Sequence, residues 1–240
     1  MIGSKIIHLE SVDSTNNYVA NLIKDNSLVN GTVILTDEQI EGRGQRGSVW
    51  SSLSGVNLLM SVYFEPANLS VEHQFYLSKF VAITLMDYLK SKGLNADIKW
   101  PNDIYVKGKK IAGVLIENQL SGTNIKSAII GVGLNVNQID FGDINATSLK
   151  LELSEFNPID EVLFGLIQNF NKNVGILEDF ELIDSIYHSN LLGLNTKRLF
   201  MINGKQVCGI IKSVSQEGKL NVLIKENLNS FDLKEIKFVF

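Results

Sequence analysis

The chain has 240 residues, 45% of them hydrophobic, which is enough to bury the core of one large domain and a small second one. The formal net charge of -4 argues against nucleic acid as the main partner, because phosphate binding usually needs a basic face. The single cysteine, Cys208, excludes an internal disulfide, and no run approaches the ~20 apolar residues of a membrane span. With no apolar signal segment at the N-terminus, we expect a cytoplasmic protein without a membrane partner, in which Cys208 is a small buried hydrophobic residue.

The first half of the chain is predicted to alternate strands and helices. Asp13-Ser14-Thr15-Asn16 opens a helical pattern, with Asp13 or Ser14 as its N-cap. Apolar residues at helical spacing predict a long amphipathic helix from Val71 to about Lys92, facing a sheet. A Gly/Arg-rich loop occupies 41–48. Three apolar runs predict strands, at 5–9, 32–36 and 57–64.

The second half changes character near Asn195. Strands and turns fill 96–136, and Asn157-Pro158 predicts a helix start with Asn157 as cap, followed by helices to about Leu192. Residues 197–240 show five short β-rich runs separated by tight turns, which favours a small barrel or sandwich. We therefore predict an α+β chain with a mixed-sheet domain at 1–194 and a small β domain at 195–240.

Two basic motifs point to an anionic ligand. Gly42-Arg43-Gly44-Gln45-Arg46-Gly47 has the spacing of a dinucleotide fingerprint, but it leads into a strand where that fingerprint must open a helix. Its backbone N–H groups and guanidinium groups could instead wrap an anion; alone, an exposed basic hairpin loop is equally open. Lys99-Trp100-Pro101-Asn102-Asp103 fixes a cation where charge could build on a phosphoryl or carboxyl oxygen. Alone, an ordinary turn capped by Asp103 also fits.

Small residues predict a pocket beside these cations. Glycines inside apolar strands weaken a sheet unless something must approach the backbone, so Gly113, Gly131 and Gly133 could floor a pocket for a flat ligand. Close packing of sheet on helix explains any one of them equally well. Ser14-Thr15-Asn16 could present donors and acceptors to a polar ligand, or simply cap the helix.

Five motifs in order resemble the catalytic domain of biotin protein ligases. They are Asp-Ser-Thr-Asn, Gln-x-x-Gly-Arg-Gly-x-Arg-Gly, Lys-Trp-Pro-Asn-Asp, Lys-Ile-Ala-Gly-Val-Leu-Ile-Glu and Gly-x-Gly-x-Asn, and the match runs from about Ile7 to Asn137. The segment 197–240 resembles the family's small Src-homology-3-like β-barrel. The resemblance implies a mixed-sheet catalytic domain related to class II aminoacyl-tRNA synthetases. It also implies that biotin and ATP form biotinyl-5′-AMP, from which biotin passes to a lysine of a biotin carboxyl carrier protein.

The resemblance also assigns site residues. It implies a biotin site lined by Ser14, Thr15, Asn16, Gln39, Arg43, Gly44, Gln45, Lys99, Gly113, Gly131 and Gly133. It implies contacts to ATP or the adenylate from Arg43, Arg46, Trp50, Asn102 and Asn135, with Lys99 and Arg43 as the catalytic residues. Two anions meet when the biotin carboxylate attacks the α-phosphorus, so these cations and Mg²⁺ are expected to neutralise charge. No metal ligand from a protein side chain is assigned.

Departures and alternatives follow from the same motifs. Many family members carry a basic residue where this chain has Gln45 and another where it has Ser48, so the loop is less basic here. A lipoate–protein ligase would show an arginine pair followed by three glycines, which the sequence lacks. A non-catalytic biotin-binding module is disfavoured by the presence of Arg43, Arg46, Lys99 and Asn102. The catalytic pattern begins within ten residues, so we expect ligase activity without DNA binding, and the family often forms homodimers.

Overall fold

Seven strands form the main sheet of the protein. The computed structural model describes residues 1–25 and 27–240, with the Arg46 side chain left out. The strands of this sheet are β1 (Lys5–Val12), β2 (Thr32–Gln39), β3 (Leu58–Phe64), β4 (Ala96–Lys99), β5 (Asp103–Val106), β6 (Lys109–Ser121) and β7 (Asn124–Leu134). Their order is β1-β2-β3-β7-β6-β5-β4; β1 and β2 are parallel and every other neighbouring pair is antiparallel.

Helices cover both faces of this sheet, as its apolar strands require. The helices are α1 (Thr15–Lys24), α2 (Phe75–Ser91), α3 (Leu149–Leu153), α4 (Ile159–Asn173) and α5 (Phe180–Ser189). On one face α1 packs through Val19 against Ile34, Tyr63 and Ile129. On the other face α2 packs between the sheet and helices α4 and α5. The α1 face is covered by a single short helix, which leaves part of the sheet open to a ligand.

A second sheet follows the helices. Its strands are β8 (Lys197–Ile202), β9 (Lys205–Val214), β10 (Leu220–Ile224), β11 (Asn227–Phe231) and β12 (Ile236–Phe238), in the antiparallel order β11-β10-β9-β8-β12. The five predicted strands are present, and the α+β class is confirmed. Closure of this sheet into a barrel stays a prediction, and so does the division at 194/195.

The second sheet touches the first beside the Lys99–Asp103 turn. The Trp100 indole Nε1 donates to the Gly218 carbonyl at 2.8 Å. Gly218 has φ +89°, and a Cβ there would lie 2.4 Å from the Phe75 ring, so α2 and the β9–β10 turn meet without room for a side chain. These contacts hold the C-terminal strands against the end of β4.

Three local predictions were wrong. Cys208 is exposed, because it alternates on β9 with buried Gly209. Helix α2 is buried on most sides rather than amphipathic, because helices cover its outer face. Pro158, not Asn157, occupies the N-cap position of α4, and the Asn157 N–H donates to Asn137 Oδ1 at 2.9 Å. The predicted N-cap of α1 is confirmed at Ser14, whose side chain makes no capping hydrogen bond.

Among the described residues, no helix combines the length and the apolar character that crossing a membrane requires.

Candidate active site

One cavity of about 350 Å³ opens on the α1 face of the main sheet. Strands β6 and β7 form its floor, the start of α1 forms one wall, and the glycine-rich loop lies over it. The Lys99–Asp103 turn forms the opposite end, where Leu233 and Lys234, in the connection between β11 and β12, also line it. The predicted residues found in the lining are Ser14, Thr15, Asn16, Gln39, Arg43, Gly44, Gln45, Trp50, Lys99, Asn102, Gly113, Gly131 and Gly133.

Hydrogen bonds orient the polar wall at the start of α1. The backbone N–H and the hydroxyl of Thr15 both donate to Gln39 Oε1, at 2.9 and 3.1 Å. The Ser61 hydroxyl on β3 lies within donating distance of Thr15 Oγ1, at 2.7 Å, and of Asn16 Oδ1, at 2.6 Å. Because Gln39 Oε1 is occupied by Thr15, the amide Nε2 of Gln39 remains as a donor for a ligand.

The floor glycines make room for two side chains. A Cβ on Gly131 would lie 2.4 Å from Asn16 Oδ1, and a Cβ on Gly133 would lie 2.4 Å from Cε2 of the Trp50 indole. A Cβ on Gly113 would lie 2.9 Å from the same indole. The flat group that lies on the cavity floor is therefore the Trp50 indole. Only glycine at positions 113 and 133 leaves room for this ring.

Two lysines share one carboxylate at the opposite end of the cavity. Lys99 Nζ lies 3.0 Å from Asp103 Oδ2, and Lys110 Nζ lies 2.6 Å from Asp103 Oδ1. All three side chains are mostly buried. Lys110 also lies 5.2 Å from the centre of the Trp50 ring. Two cations on one anion leave a local excess of positive charge, which suits a ligand phosphate or carboxylate.

Aromatic rings from both sheets surround Lys99. Its Nζ lies 5.6 Å from the ring centres of Tyr105 and of Phe238, the latter on β12. Burial and the neighbouring Asp103 carboxylate raise the pKa of Tyr105 to about 12, so this ring stays neutral at physiological pH. The second sheet thus contributes to the setting of a predicted catalytic lysine.

Arg43 lines the cavity but is held by protein groups. Its Nη2 donates to Glu117 Oε1 at 2.7 Å, and its Nη1 bonds to the Asn17 side-chain oxygen. The predicted role in neutralising the reacting phosphate remains a prediction, and these bonds direct the guanidinium elsewhere. Arg46, the other predicted cation of the loop, has its side chain outside the described part of the structure.

The two predicted nucleotide-binding asparagines lie in different places. Asn102 lines the cavity, and its amide Nδ2 donates to the Val114 carbonyl at 2.6 Å. Asn135 is buried outside the lining, and its Nδ2 donates to the Thr147 carbonyl at 2.9 Å. Asn135 therefore fixes the segment before α3, and its predicted contact with a nucleotide stays a prediction.

Sequence reasoning missed Lys110, Asp103 as a site residue, Ser61 and Glu117. Lys110 had a detectable signal, since Lys109 and Lys110 adjoin a strand in which alternate residues face the same side. Only one of the two lysines can face the cavity, and Lys109 is exposed. Glu117 had a signal too, since it ends one of the five family motifs, whereas Ser61 gave none, because its position depends on strand pairing between distant segments.

A resident metal ion does not fit the described lining. Asp103 is the only carboxylate among the lining residues, and lysines hold both of its oxygens. No group of three acidic, histidine or cysteine side chains suited to a metal occurs in the described residues.

Comparisons with known proteins agree with this geometry. Residues 8–135 match the model of the Biotin/lipoate A/B protein ligase family. The bifunctional ligase/repressor BirA of Bacillus subtilis is 29% identical over 99% of this chain and 75% of its own length. The biotin–[acetyl-CoA-carboxylase] ligase of Mycobacterium tuberculosis is 27% identical over 80% of this chain and 73% of its own length.

Solved structures give the same answer. A biotin protein ligase from Aquifex aeolicus, in complex with biotin and ATP, superposes with a TM-score of 0.79 at 25% identity, covering 98% of this chain and all of that one. The family model matches more than half of this chain, including the α1 wall, the loop and the lysine end of the cavity. The chain belongs to the biotin/lipoate A/B protein ligase family.

Proposed function

We propose that the protein is a biotin–protein ligase. It activates biotin with ATP to biotinyl-5′-AMP, releases pyrophosphate, and transfers biotin to a lysine of a biotin carboxyl carrier protein. One observation carries the proposal: a single cavity joins a polar wall at α1 to two lysines that share Asp103. A ligand with a polar head and a carboxylate tail can therefore reach both ends.

The α1 wall suits the ureido head of biotin. This head offers two N–H donors and one carbonyl acceptor. Asn16 Oδ1 accepts from Ser61 and keeps a second lone pair, and Gln39 Nε2 keeps its donors. A buried polar wall of this kind rejects ligands that leave its groups unpaired, because an unmatched buried group costs about 1–3 kcal/mol.

The lysine end suits the meeting of two anions. The carboxylate of biotin attacks the α-phosphorus of ATP, and the bond from that phosphorus to the pyrophosphate oxygen breaks. Lys99 and Lys110 lie where charge would build, in surroundings partly closed to water. Asp103 keeps both ammonium groups in place between turnovers. No protein nucleophile is required, since the substrate carboxylate is the attacking group.

Two features of the loop protect the product. Trp50 offers a flat apolar face for adenine above the strand glycines. Closure of the loop at 42–50 would exclude water from the mixed anhydride until the acceptor lysine attacks it and AMP leaves. The resemblance stated from the sequence supports the carrier protein as acceptor, Mg²⁺–ATP as the nucleotide, a cytoplasmic location and a homodimer as parts of this proposal.

Biotin transfer to a carrier domain tests the proposal. Purified protein, biotin, ATP and Mg²⁺ should label a biotin carboxyl carrier domain, and the same domain with its acceptor lysine changed to arginine should stay unlabelled. Lipoate replaces biotin in the parallel reaction, because the family model covers both kinds of ligase. Transfer of lipoate alone would identify a lipoate ligase, and tight biotin binding without transfer would identify a binding module.

A further inference from the structure

We propose that Arg43 and Glu117 form a clamp that fixes the glycine-rich loop over the α1 wall, and that Arg43 is a positioning residue rather than a charge-neutralising one. The Arg43–Glu117 clamp rests on the proposed function, since it concerns how the same cavity holds biotin. It gives Glu117, a residue outside the cavity lining, a part in the reaction.

Glu117 lies at the end of the cavity floor. On β6, Gly113, Leu115 and Glu117 occupy alternate positions on the same face of the sheet, and the first two line the cavity. Both carboxylate oxygens of Glu117 are engaged. Oε1 accepts from Arg43 Nη2 at 2.7 Å, and Oε2 accepts from Asn16 Nδ2 at 2.8 Å. Glu117 therefore links the loop to the wall that is proposed to bind the biotin head.

The loop is built so that fixing Arg43 fixes the whole hairpin. Arg43 pairs with Val49 in a β-bridge, and the Trp50 N–H donates to the Gly42 carbonyl at 2.9 Å. Arg43 Nη1 also bonds to Asn17, whose amide donates to Asp13 at 2.7 Å. The guanidinium is thus tied to β6 and α1 at once, and Trp50 is carried on the same hairpin.

The bond from Glu117 also orients Asn16. With Nδ2 donating to Glu117, Oδ1 of Asn16 points toward Ser61 and toward the space above Gly131. Rotating the amide would place its oxygen against the Glu117 carboxylate, where neither group has a proton to donate. Glu117 thereby keeps Asn16 as an acceptor for a ligand N–H.

Positive charge for the chemical step is already present elsewhere. Lys99 and Lys110 share Asp103, whereas Arg43 is paired with a carboxylate of its own. Moving Arg43 onto a phosphate would leave the Glu117 carboxylate without its cation, held only by Asn16. The arrangement therefore assigns loop closure to Arg43 and charge neutralisation to the two lysines.

The test compares Arg43→Ala, Glu117→Ala and the double variant. For each, the Kd for biotin is measured by calorimetry and the adenylation rate by single turnover at saturating biotin and ATP. The clamp predicts that each single variant weakens biotin binding about fivefold, the scale of one partly exposed ion pair with its hydrogen bonds. The double variant should weaken binding no further, because the two residues act as one unit. The single-turnover rate at saturating substrate should fall only slightly in the three variants, and by the same factor in each, because each loses the same contact between the loop and β6.

Two results would overturn the clamp. The first is a 10²-fold loss of single-turnover rate in Arg43→Ala with little loss in Glu117→Ala, because that is the signature of transition-state charge stabilisation. The second is an additive double variant. Glu117→Gln is the conservative comparison: it keeps an acceptor for Asn16, so it should weaken biotin binding less than Glu117→Ala. Failure of the wild-type protein to bind biotin or to adenylate it would instead reject the proposed function.

Discussion

At the scale of single residues, the proposed chemistry depends on Lys99, Lys110 and Asp103. The Lys99–Asp103 pair lies within one motif, and the sequence alone indicated a fixed cation there. Lys110 lies eleven residues after Lys99, and it contacts Asp103 only because β6 pairs with β5. The shared carboxylate therefore could not be predicted from spacing, since it depends on the register of two strands.

Lys110→Ala and Lys99→Ala should each lower the rate of adenylation by about 10²-fold or more, because each removes a preorganised cation from developing negative charge. Single-turnover formation of biotinyl-5′-AMP at saturating biotin and ATP measures this. Lys109→Ala is the matched control, since Lys109 is exposed on the neighbouring position of β6. A Lys110→Ala rate within threefold of that control would remove Lys110 from the mechanism.

Trp50 shows the limit of prediction for a single side chain. The sequence indicated that glycines floor a pocket for a flat group and that Trp50 packs against adenine. The structure seats the indole on Gly113 and Gly133, and its Nε1 is buried without a hydrogen-bond partner. Strand pairing places Gly113 opposite Gly133, and no local sequence pattern predicts this pairing.

At the scale of elements, β6 and β7 must leave room for the Trp50 ring. Gly133→Ala would place a methyl carbon 2.4 Å from Cε2 of the indole, so the ring must move. We expect the KM for ATP to rise about tenfold or more, since this surface is proposed to hold adenine. Gly175→Ala is the control, because its added methyl meets nothing within 4 Å. Equal ATP kinetics in the two variants would contradict the proposed seat.

The glycine-rich loop is the element that we expect to change conformation most when biotin and ATP bind. Residues 41–50 contain one 3₁₀ turn, Gln45–Gly47, and several of them, such as Glu41, Ser48 and Val49, are exposed. We predict that a protease cuts this segment at least tenfold more slowly when biotin and ATP are both bound, because closure buries it. Cutting within helix α4 serves as the internal control. Equal cutting rates with and without ligands would show that the loop does not close.

Most elements were predictable, and the exceptions have physical causes. Periodicity predicted the strands and helices of the first 136 residues and the five strands of the second sheet. The short helix α3 was missed, since five residues carry too little periodicity to detect. The prediction that α2 is amphipathic was wrong, because α4 and α5 bury its outer face. Burial of this kind is a tertiary effect that periodicity does not show.

At the scale of the whole molecule, stability should depend on alkaline pH. Burial raises the pKa of Tyr88 to about 12, and the pKa values of four other tyrosines are also raised, with desolvation as the leading cause; these are Tyr63, Tyr76, Tyr105 and Tyr187. A tyrosine in the unfolded chain ionises near 10. The folded state therefore binds more protons above pH 10, so the stability present below pH 10 is lost as pH rises toward 12.

Lys79 has the opposite effect on the pH dependence of folding stability. It is buried against Asp184 and three aromatic rings, and burial lowers its pKa, so rising pH relieves a cost of folding. Five tyrosines outweigh one lysine. Urea midpoints at pH 8 and pH 11 should therefore show lower stability at pH 11. Between these two pH values the Tyr88→Phe variant should lose less stability than the wild type. Its hydroxyl is buried without a partner, so phenylalanine keeps the packing. A larger loss in Tyr88→Phe would contradict this account.

The central claim is tested most directly by exchange of labelled pyrophosphate into ATP, which reports formation of the biotinyl adenylate without an acceptor protein. The account predicts exchange that depends on biotin, is not supported by lipoate, and is lost in Lys110→Ala. Exchange with lipoate but not with biotin would place the chain among the lipoate ligases of the same family. Biotin binding without exchange would contradict the claim that this cavity activates biotin.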